Sequence, residues 1–308
     1  MKNLTILFTI YRALLCYNPP MYTICDITDD TLAIRGIDRL SLERTLACGQ
    51  SFRWQKDGDG FSAPALGRMI HAEQRGDALL LSPCIEEDIP LWIRYFDLER
   101  DYAAIEEKLT ADLTLCDCLP CASGIRVLQQ EPFETLLTFI ISANNNTKRI
   151  AGIVEHLCQR AGEPVVFRKR EYRFFPTPAA VAALSVEELV EIGAGYRAPF
   201  IKASAARIAG GYDLETLRHM PLDAARKELV SFPGVGPKVA DCVLLFSLGH
   251  ADAFPVDVWI GRAMRALYFN GDAPKRRELE RTIRALGSES GIVQQYIFHY
   301  ARLTSLGK

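Results

Sequence analysis

The chain has 308 residues, 49% hydrophobic and 24% charged, enough for two ordinary domains with sizeable cores. Its 36 Lys and Arg nearly balance its 38 Asp and Glu, for a formal charge of −2, which excludes a protein that coats nucleic acid indiscriminately. A local basic groove stays open, because binding follows the local field and not the total.

The first twenty residues carry Lys2 and an apolar stretch that Arg12 interrupts, with no small-residue cleavage site after it. They match neither a signal peptide nor a bilayer span, and Met21 is an alternative start. Residues 1–20 are therefore set aside as an extension. Residues 21–121 read as an N-terminal domain. Short extended runs alternate with turns as far as about Leu91: Gly49-Gln50-Ser51-Phe52-Arg53-Trp54, a turn at Asp57-Gly58-Asp59-Gly60, then Ala78-Leu79-Leu80-Leu81-Ser82-Pro83. They predict a twisted antiparallel sheet.

The nine cysteines, odd in number and scattered, suit a reducing compartment better than a disulfide framework. Cys116, Cys118 and Cys121 form a cluster, but zinc wants four ligands and no His is near. Free thiols are expected there, with no metal and no cofactor.

From Leu98 the pattern changes. Ile105, Leu109 and Leu113, then Leu136, Leu137, Ile140 and Ile141, then Leu184, Leu189 and Ile192 recur at helical spacing. Gly and Pro punctuate these runs at Glu163-Pro164 and Pro176-Thr177-Pro178. Residues 122–308 thus read as a mainly helical domain, and the whole as α+β.

Leu229-Val230-Ser231-Phe232-Pro233-Gly234-Val235-Gly236-Pro237-Lys238-Val239-Ala240-Asp241 is the sharpest local signal. One helix ends near Phe232, since Pro233 cannot continue it. Gly234 and Gly236 permit positive φ and close backbone approach. Pro237 suits the first position of a second helix, with Val239, Val243, Leu244 and Phe246 as its buried face and Gly249 as its end. Such a turn at a helix N-terminus points free N–H groups outward and forms an anion site; it also serves as a plain tight turn.

Lys238 separates the two readings. An ordinary lysine, with a pKa of about 10.4, is almost wholly protonated at neutral pH. The positive end of a helix dipole and partial burial both favour the neutral, nucleophilic amine. The competing reading is an exposed surface lysine. Further on, Ala253-Phe254-Pro255-Val256-Asp257-Val258-Trp259 leads an extended stretch into a new helix. Asp257 reads as its N-cap, a role compatible with chemistry because the helix fixes the carboxylate.

These segments resemble the glycosylase superfamily built on a helix–hairpin–helix, a Gly/Pro-rich loop and a distal Asp. Gly49-Gln50-Ser51-Phe52-Arg53-Trp54, Tyr95-Phe96-Asp97-Leu98, Ser142-Ala143-Asn144-Asn145-Asn146 and Gly195-Tyr196-Arg197-Ala198 narrow the resemblance to the 8-oxoguanine DNA glycosylase family of eukaryotic type, from about Asp38 onward. It implies a bifunctional glycosylase and abasic-site lyase of base excision repair. In that role Lys238 is the amine that forms a Schiff base, and Asp257 is the carboxylate beside the developing positive charge. By the same resemblance Gly49 accepts the extra N–H of the lesion, Cys242 and Phe298 sandwich the base, and Gln294 reads its Watson–Crick edge. Asn144, Arg149 and Arg197 contact the orphaned cytosine and Tyr196 is the wedge; the anion site that the turn at Gly234 and Gly236 forms is then expected to take a DNA phosphate. Lys148 and Lys202 are expected to add charge to the groove.

The chain departs from the family at Trp259, where vertebrate forms carry a histidine, at Ala143, where they carry a serine, and in a shorter loop after Ala266. The departures bear on backbone contacts and on the strictness of cytosine pairing. The partner implied is lesion-bearing duplex DNA. A monomer without membrane contact is expected, cytoplasmic and nucleoid-associated in a bacterium or nuclear in a eukaryote. Three other readings stand beside this one. An endonuclease III-type enzyme would add four C-terminal cysteines for an iron–sulfur cluster, and no cysteine follows Cys242. A monofunctional alkyl-base glycosylase would lack the hairpin lysine. A non-catalytic DNA-gripping hairpin would leave Lys238 and Asp257 without a task.

Overall fold

A computed structural model describes residues 22–24 and 27–306; the extension of residues 1–20 and Met21 lie outside them. Strands β1 (Thr23–Ile24), β2 (Leu32–Arg35), β3 (Gln55–Asp57), β4 (Gly60–Ala65), β5 (Arg68–Arg75) and β6 (Ala78–Ser82) form one antiparallel sheet in the order β1-β2-β6-β5-β4-β3. The expected turn joins β3 to β4, with Gly58 at a left-handed φ of 59°. Alternation decides which face is buried: Leu32, Ile34, Ile70, Ala72, Leu79 and Leu81 are all at 0% exposure and pack on Trp92 and Phe96. Each buried Leu or Ile contributes about 1.5–3 kcal/mol.

The second unit is mainly helical, as expected. Its central helix, Pro132–Ser142, is surrounded: Leu136, Leu137, Ile140 and Ile141 are at 1% exposure or less. Leu113 departs from its expected place. The Tyr102–Ala111 helix stops before it, and its side chain is 93% exposed. Leu184, Leu189 and Ile192 do not share one helix either. Pro178–Ala183 ends at Leu184, and Ser185 restarts the chain with a capping box to Glu188. A two-stranded hairpin, β7 (Pro164–Phe167) with β8 (Arg170–Arg173), stands where only a break was read.

Gly49–Trp54, read as an extended run, is a loop following the Leu42–Ala47 helix. Its polar groups bond across the molecule rather than to a strand. The buried Gln50 side chain donates to the Thr45 and Arg126 carbonyls and accepts from the Leu128 N–H. Tyr102, Ile105 and Leu109 pack in the helical core and Leu128 in the sheet core, so the two cores draw residues from both sides of the 121/122 division.

Buried polar ties fix one unit on the other. Arg126, 1% exposed, donates to the carbonyls of Asp38, Arg39 and Asp97 and lies 4.4 Å over the Tyr102 ring. Glu106 accepts from Tyr296, Ser123 and the Gly124 N–H, and pairs with Arg39 at 3.0 Å. Gln295 donates to the Cys48 carbonyl at 3.3 Å, which sets Gly49 against the Ser290–Thr304 helix. No helix among the described residues is long and apolar enough to cross a membrane.

Candidate active site at the helical hairpin

The first hairpin helix is Leu222–Val230 and the second Pro237–Ser247, with Pro237 at the helix start as expected. Phe232, Val235 and Val239 are buried and hold the loop down, and the Val235 N–H closes it on the Phe232 carbonyl at 3.1 Å. Gly234 is at φ +77°, and a Cβ there would stand 2.5 Å from the Phe200 ring, so this position requires glycine. Gly236 differs from the expectation of positive φ. It is extended, at φ −92° and ψ 178°, with open space around it. Both glycines are exposed, and their N–H groups meet no acceptor among the described residues.

Lys238 follows in the first turn, half-buried. Its Nζ donates to Ser142 Oγ at 3.0 Å and lies 5.0 Å from the centre of the Phe139 ring. The Ser142 hydroxyl hydrogen is committed to the Phe139 carbonyl at 2.7 Å, so the oxygen faces the amine as an acceptor. One turn on, Cys242 is 2% exposed. Burial pushes its thiol up to about 11; Lys238 pulls it down, while Asp241 and Asp257 push it further up.

Asp257 is the N-cap of the Val258–Tyr268 helix: its Oδ1 accepts the Ile260 N–H at 2.8 Å. The second carboxylate oxygen bonds to no protein donor among the described residues, so the cap leaves half of the charge available.

Two of the expected base-pocket residues, Gly49 and Phe298, stand against each other. A Cβ on Gly49, which sits at φ +90°, would lie 3.5 Å from the Phe298 ring and 3.3 Å from Arg302 Nη1. Gln294, one turn before Phe298, donates through Nε2 to the Pro255 carbonyl at 3.1 Å, two residues before Asp257. Its Oε1 is buried with no hydrogen-bond partner among the described residues. A buried unmatched acceptor costs about 1–3 kcal/mol, which a ligand N–H would recover.

The expected DNA contacts cluster at one loop. Asn144 is exposed at φ +49°, Asn146 caps the Thr147–Ala161 helix, and Arg149 is exposed. Tyr196, 59% exposed, donates to the Ala143 carbonyl at 3.3 Å. Arg197 is only 3% exposed and does not stand free in the groove. It clamps the loop through the Ala143, Asn144 and Ala194 carbonyls, 4.3 Å from the Tyr196 ring. Lys202, expected in the groove, instead ties off the carbonyls of Ala182 and Leu184 at the end of a helix. Phe139, Ser142 and Arg302 join the site without a sequence signal of their own, except that Ser142 opens the Ser142-Ala143-Asn144-Asn145-Asn146 run.

A cleft of about 470 Å³ lies at the other end of the Pro132–Ser142 helix, between Leu66, Phe133, Phe175 and Tyr212. Its carboxylates have internal tasks: Glu134 pairs with Arg53, Glu215 with Arg218, and Glu131 caps the helix.

Comparison with known proteins places this geometry. Residues 34–136 match the profile of the 8-oxoguanine DNA glycosylase N-terminal domain, and residues 137–289 that of the HhH-GPD superfamily of base excision DNA repair proteins. The probable N-glycosylase/DNA lyase of Methanothermobacter thermautotrophicus is 33% identical over 231 residues, 68% of this chain and 72% of that one. The N-glycosylase/DNA lyase of Saccharomyces cerevisiae is 30% identical over 260 residues, 74% of this chain and 68% of that one. The Clostridium acetobutylicum 8-oxoguanine glycosylase/lyase, solved with duplex DNA carrying cytosine opposite 8-oxoguanine, superposes with a TM-score of 0.88 at 33% identity, over 93% of this chain and 100% of that one. The chain belongs to the 8-oxoguanine DNA glycosylase family, on the helix–hairpin–helix framework of base excision repair.

Proposed function

We propose that this chain removes 8-oxoguanine from duplex DNA and then nicks the strand, with Lys238 as the amine and Asp257 as its carboxylate. The observation that carries the reading is the position of Lys238. It is half-buried, held on Ser142 Oγ at 3.0 Å and 5.0 Å from the centre of the Phe139 ring, rather than pointing into bulk solvent.

The base must first leave the stack, at a cost of a few kcal/mol. The Lys238 nitrogen lone pair then attacks C1′ of the deoxyribose as the C1′–N9 bond breaks, and the base departs with that electron pair and takes up a proton. Asp257 lies where positive charge develops on the sugar and stabilises it; the helix it caps holds the carboxylate in place beforehand. Ring opening gives the imine, and loss of a C2′ proton breaks the C3′–O bond and nicks the strand. In the pocket, Gly49 takes the N7–H that guanine lacks, Gln294 Oε1 takes N–H donors of the Watson–Crick edge, and Cys242 and Phe298 enclose the ring. Asn144 and Arg149 face the orphaned cytosine with Tyr196 as the wedge, and Arg197 joins them by releasing the loop carbonyls. Gly234 and Gly236 offer their N–H groups to a phosphate.

In this reading the chain acts on the duplex as a monomer. The compartment follows the DNA: nucleoid in a bacterium, nucleus in a eukaryote. The test is borohydride trapping on a duplex with 8-oxoguanine opposite cytosine. The expected result is a covalent protein–DNA adduct that Lys238→Gln abolishes. DNA binding by the wild type with no adduct would reduce the protein to a DNA-gripping fold.

A further inference from the structure

Gln294, Phe298 and Arg302 lie one turn apart along one face of the Ser290–Thr304 helix. Exposure rises along this row, from 4% at Gln294 through half-buried Phe298 to exposed Arg302. At ~1.5 Å rise per residue the outer two Cα atoms are about 12 Å apart. Long helical side chains lean toward the helix N-terminus, and Arg302 does so. Its guanidinium carbon is 5.4 Å from the centre of the Phe298 ring. Its Nη1 is 3.3 Å from where a Gly49 Cβ would be, beside the Phe298 ring edge. Among the described residues no carboxylate pairs with it. A cation with no carboxylate partner among the described residues thus sits at the outer end of the base pocket, against the two residues that define that end.

We infer that Arg302 is a second reader of the oxidised base, donating from its guanidinium to the C8 oxygen while Gly49 accepts from N7–H. The inference rests on the reading that Gln294, Phe298 and Gly49 hold the base. A purine carries its Watson–Crick edge on the six-membered ring and N7 and C8 on the five-membered ring. With Gln294 at the pocket floor, the five-membered ring extends along the row toward Arg302. Oxidation of guanine makes two changes at that end: N7 gains a proton and C8 gains an oxygen. An acceptor and a cationic donor side by side match both changes. Guanine presents a lone pair to the Gly49 carbonyl and a C–H where the donor expects an acceptor. A donor that carries charge forms the stronger kind of hydrogen bond, so this contact adds discrimination that one carbonyl alone lacks.

The experiment compares two substrates in single turnover: 8-oxoguanine opposite cytosine, and a preformed abasic site opposite cytosine, which needs no base pocket. Arg302→Leu removes the donors and keeps an apolar stem. It is expected to slow excision about tenfold to hundredfold, and incision of the abasic duplex by no more than about twofold. Arg302→Lys, which keeps a cationic donor, recovers part of the excision rate. Equal slowing of both reactions makes Arg302 a phosphate contact and overturns the inference. Unchanged or faster excision overturns it too. If the wild type incises the abasic duplex but leaves 8-oxoguanine in place, the lesion assignment falls, and the role of Arg302 with it.

Discussion

The two hairpin glycines look equivalent in sequence, yet alanine at each should have opposite consequences. At Gly234 the backbone is at φ +77°, and a Cβ would stand 2.5 to 2.9 Å from Cδ2, Cγ and Cβ of Phe200. These are atoms near the root of that side chain, so no rotation of a distal group relieves the clash; the Ala198–Ala209 helix or the hairpin must shift. The left-handed conformation costs about 1–2 kcal/mol for a residue with a Cβ, and overpacking adds about 1–3 kcal/mol. Gly234→Ala should therefore lose about 2–5 kcal/mol. In a chain of this size that corresponds to a drop in Tm of roughly 5–15 °C. At Gly236 the backbone is extended and no atom lies within 4 Å of the added Cβ. Gly236→Ala should hold its Tm, or gain from a less flexible unfolded chain, an effect of about 0.4–1 kcal/mol. Its cost appears on DNA: the new methyl stands among the exposed N–H groups of the hairpin, where a phosphate must approach closely, so affinity for duplex should fall while stability does not. Thermal unfolding and fluorescence anisotropy with a duplex probe separate the two effects. If Gly234→Ala melts within a degree or two of the wild type, or Gly236→Ala loses as much Tm as Gly234→Ala, the assignment of these backbone roles is wrong.

Two further expectations follow from the site and its surroundings. Asn at position 257 still accepts the Ile260 N–H, so Asp257→Asn should keep Tm and duplex affinity while single-turnover excision falls by at least about a hundredfold; equal losses in binding and turnover would leave only a capping role. Burial raises the Glu134 carboxyl from 4.5 to about 7, partly offset by Arg53. The folded protein therefore binds this proton more tightly than the unfolded chain, and stability falls as pH rises from 4.5 to 7. Glu134→Gln should flatten that part of the profile, so Tm drops less between pH 5 and pH 8 than in the wild type; superimposable Tm profiles would refute the assignment.

What was legible in the sequence was local. Pro237 and Asp257 mark helix starts through backbone rules that act within one turn, and the Lys238 position follows from them. The β7–β8 hairpin was not legible because its two-residue turn is Arg168-Lys169, both at positive φ (48° and 65°), where Asn-Gly is the usual signal. Arg197 and Lys202 were read as groove residues because a sequence shows cations but not which carbonyls the fold orphans. Both spend their donors on such carbonyls. Gly49–Trp54 imitates a strand by alternation, yet Gln50 fixes it as a loop through contacts with Thr45, Arg126 and Leu128.

The pocket joins both kinds of information. Lys238 with Cys242, and Gln294 with Phe298 and Arg302, are spaced one helical turn apart, so each segment presents its row without help from the rest of the fold. Long-range ties, Gln295 on Cys48 and Gln294 on Pro255, set the second row against the Gly49 loop and the segment that leads into Asp257. Substitution at exposed Arg302 should therefore alter chemistry with little loss of stability, whereas cutting a tie moves the Gly49 end away from a row that remains intact. The placement of Arg302 against Gly49 depends on such a tie, which is why spacing alone did not reveal it.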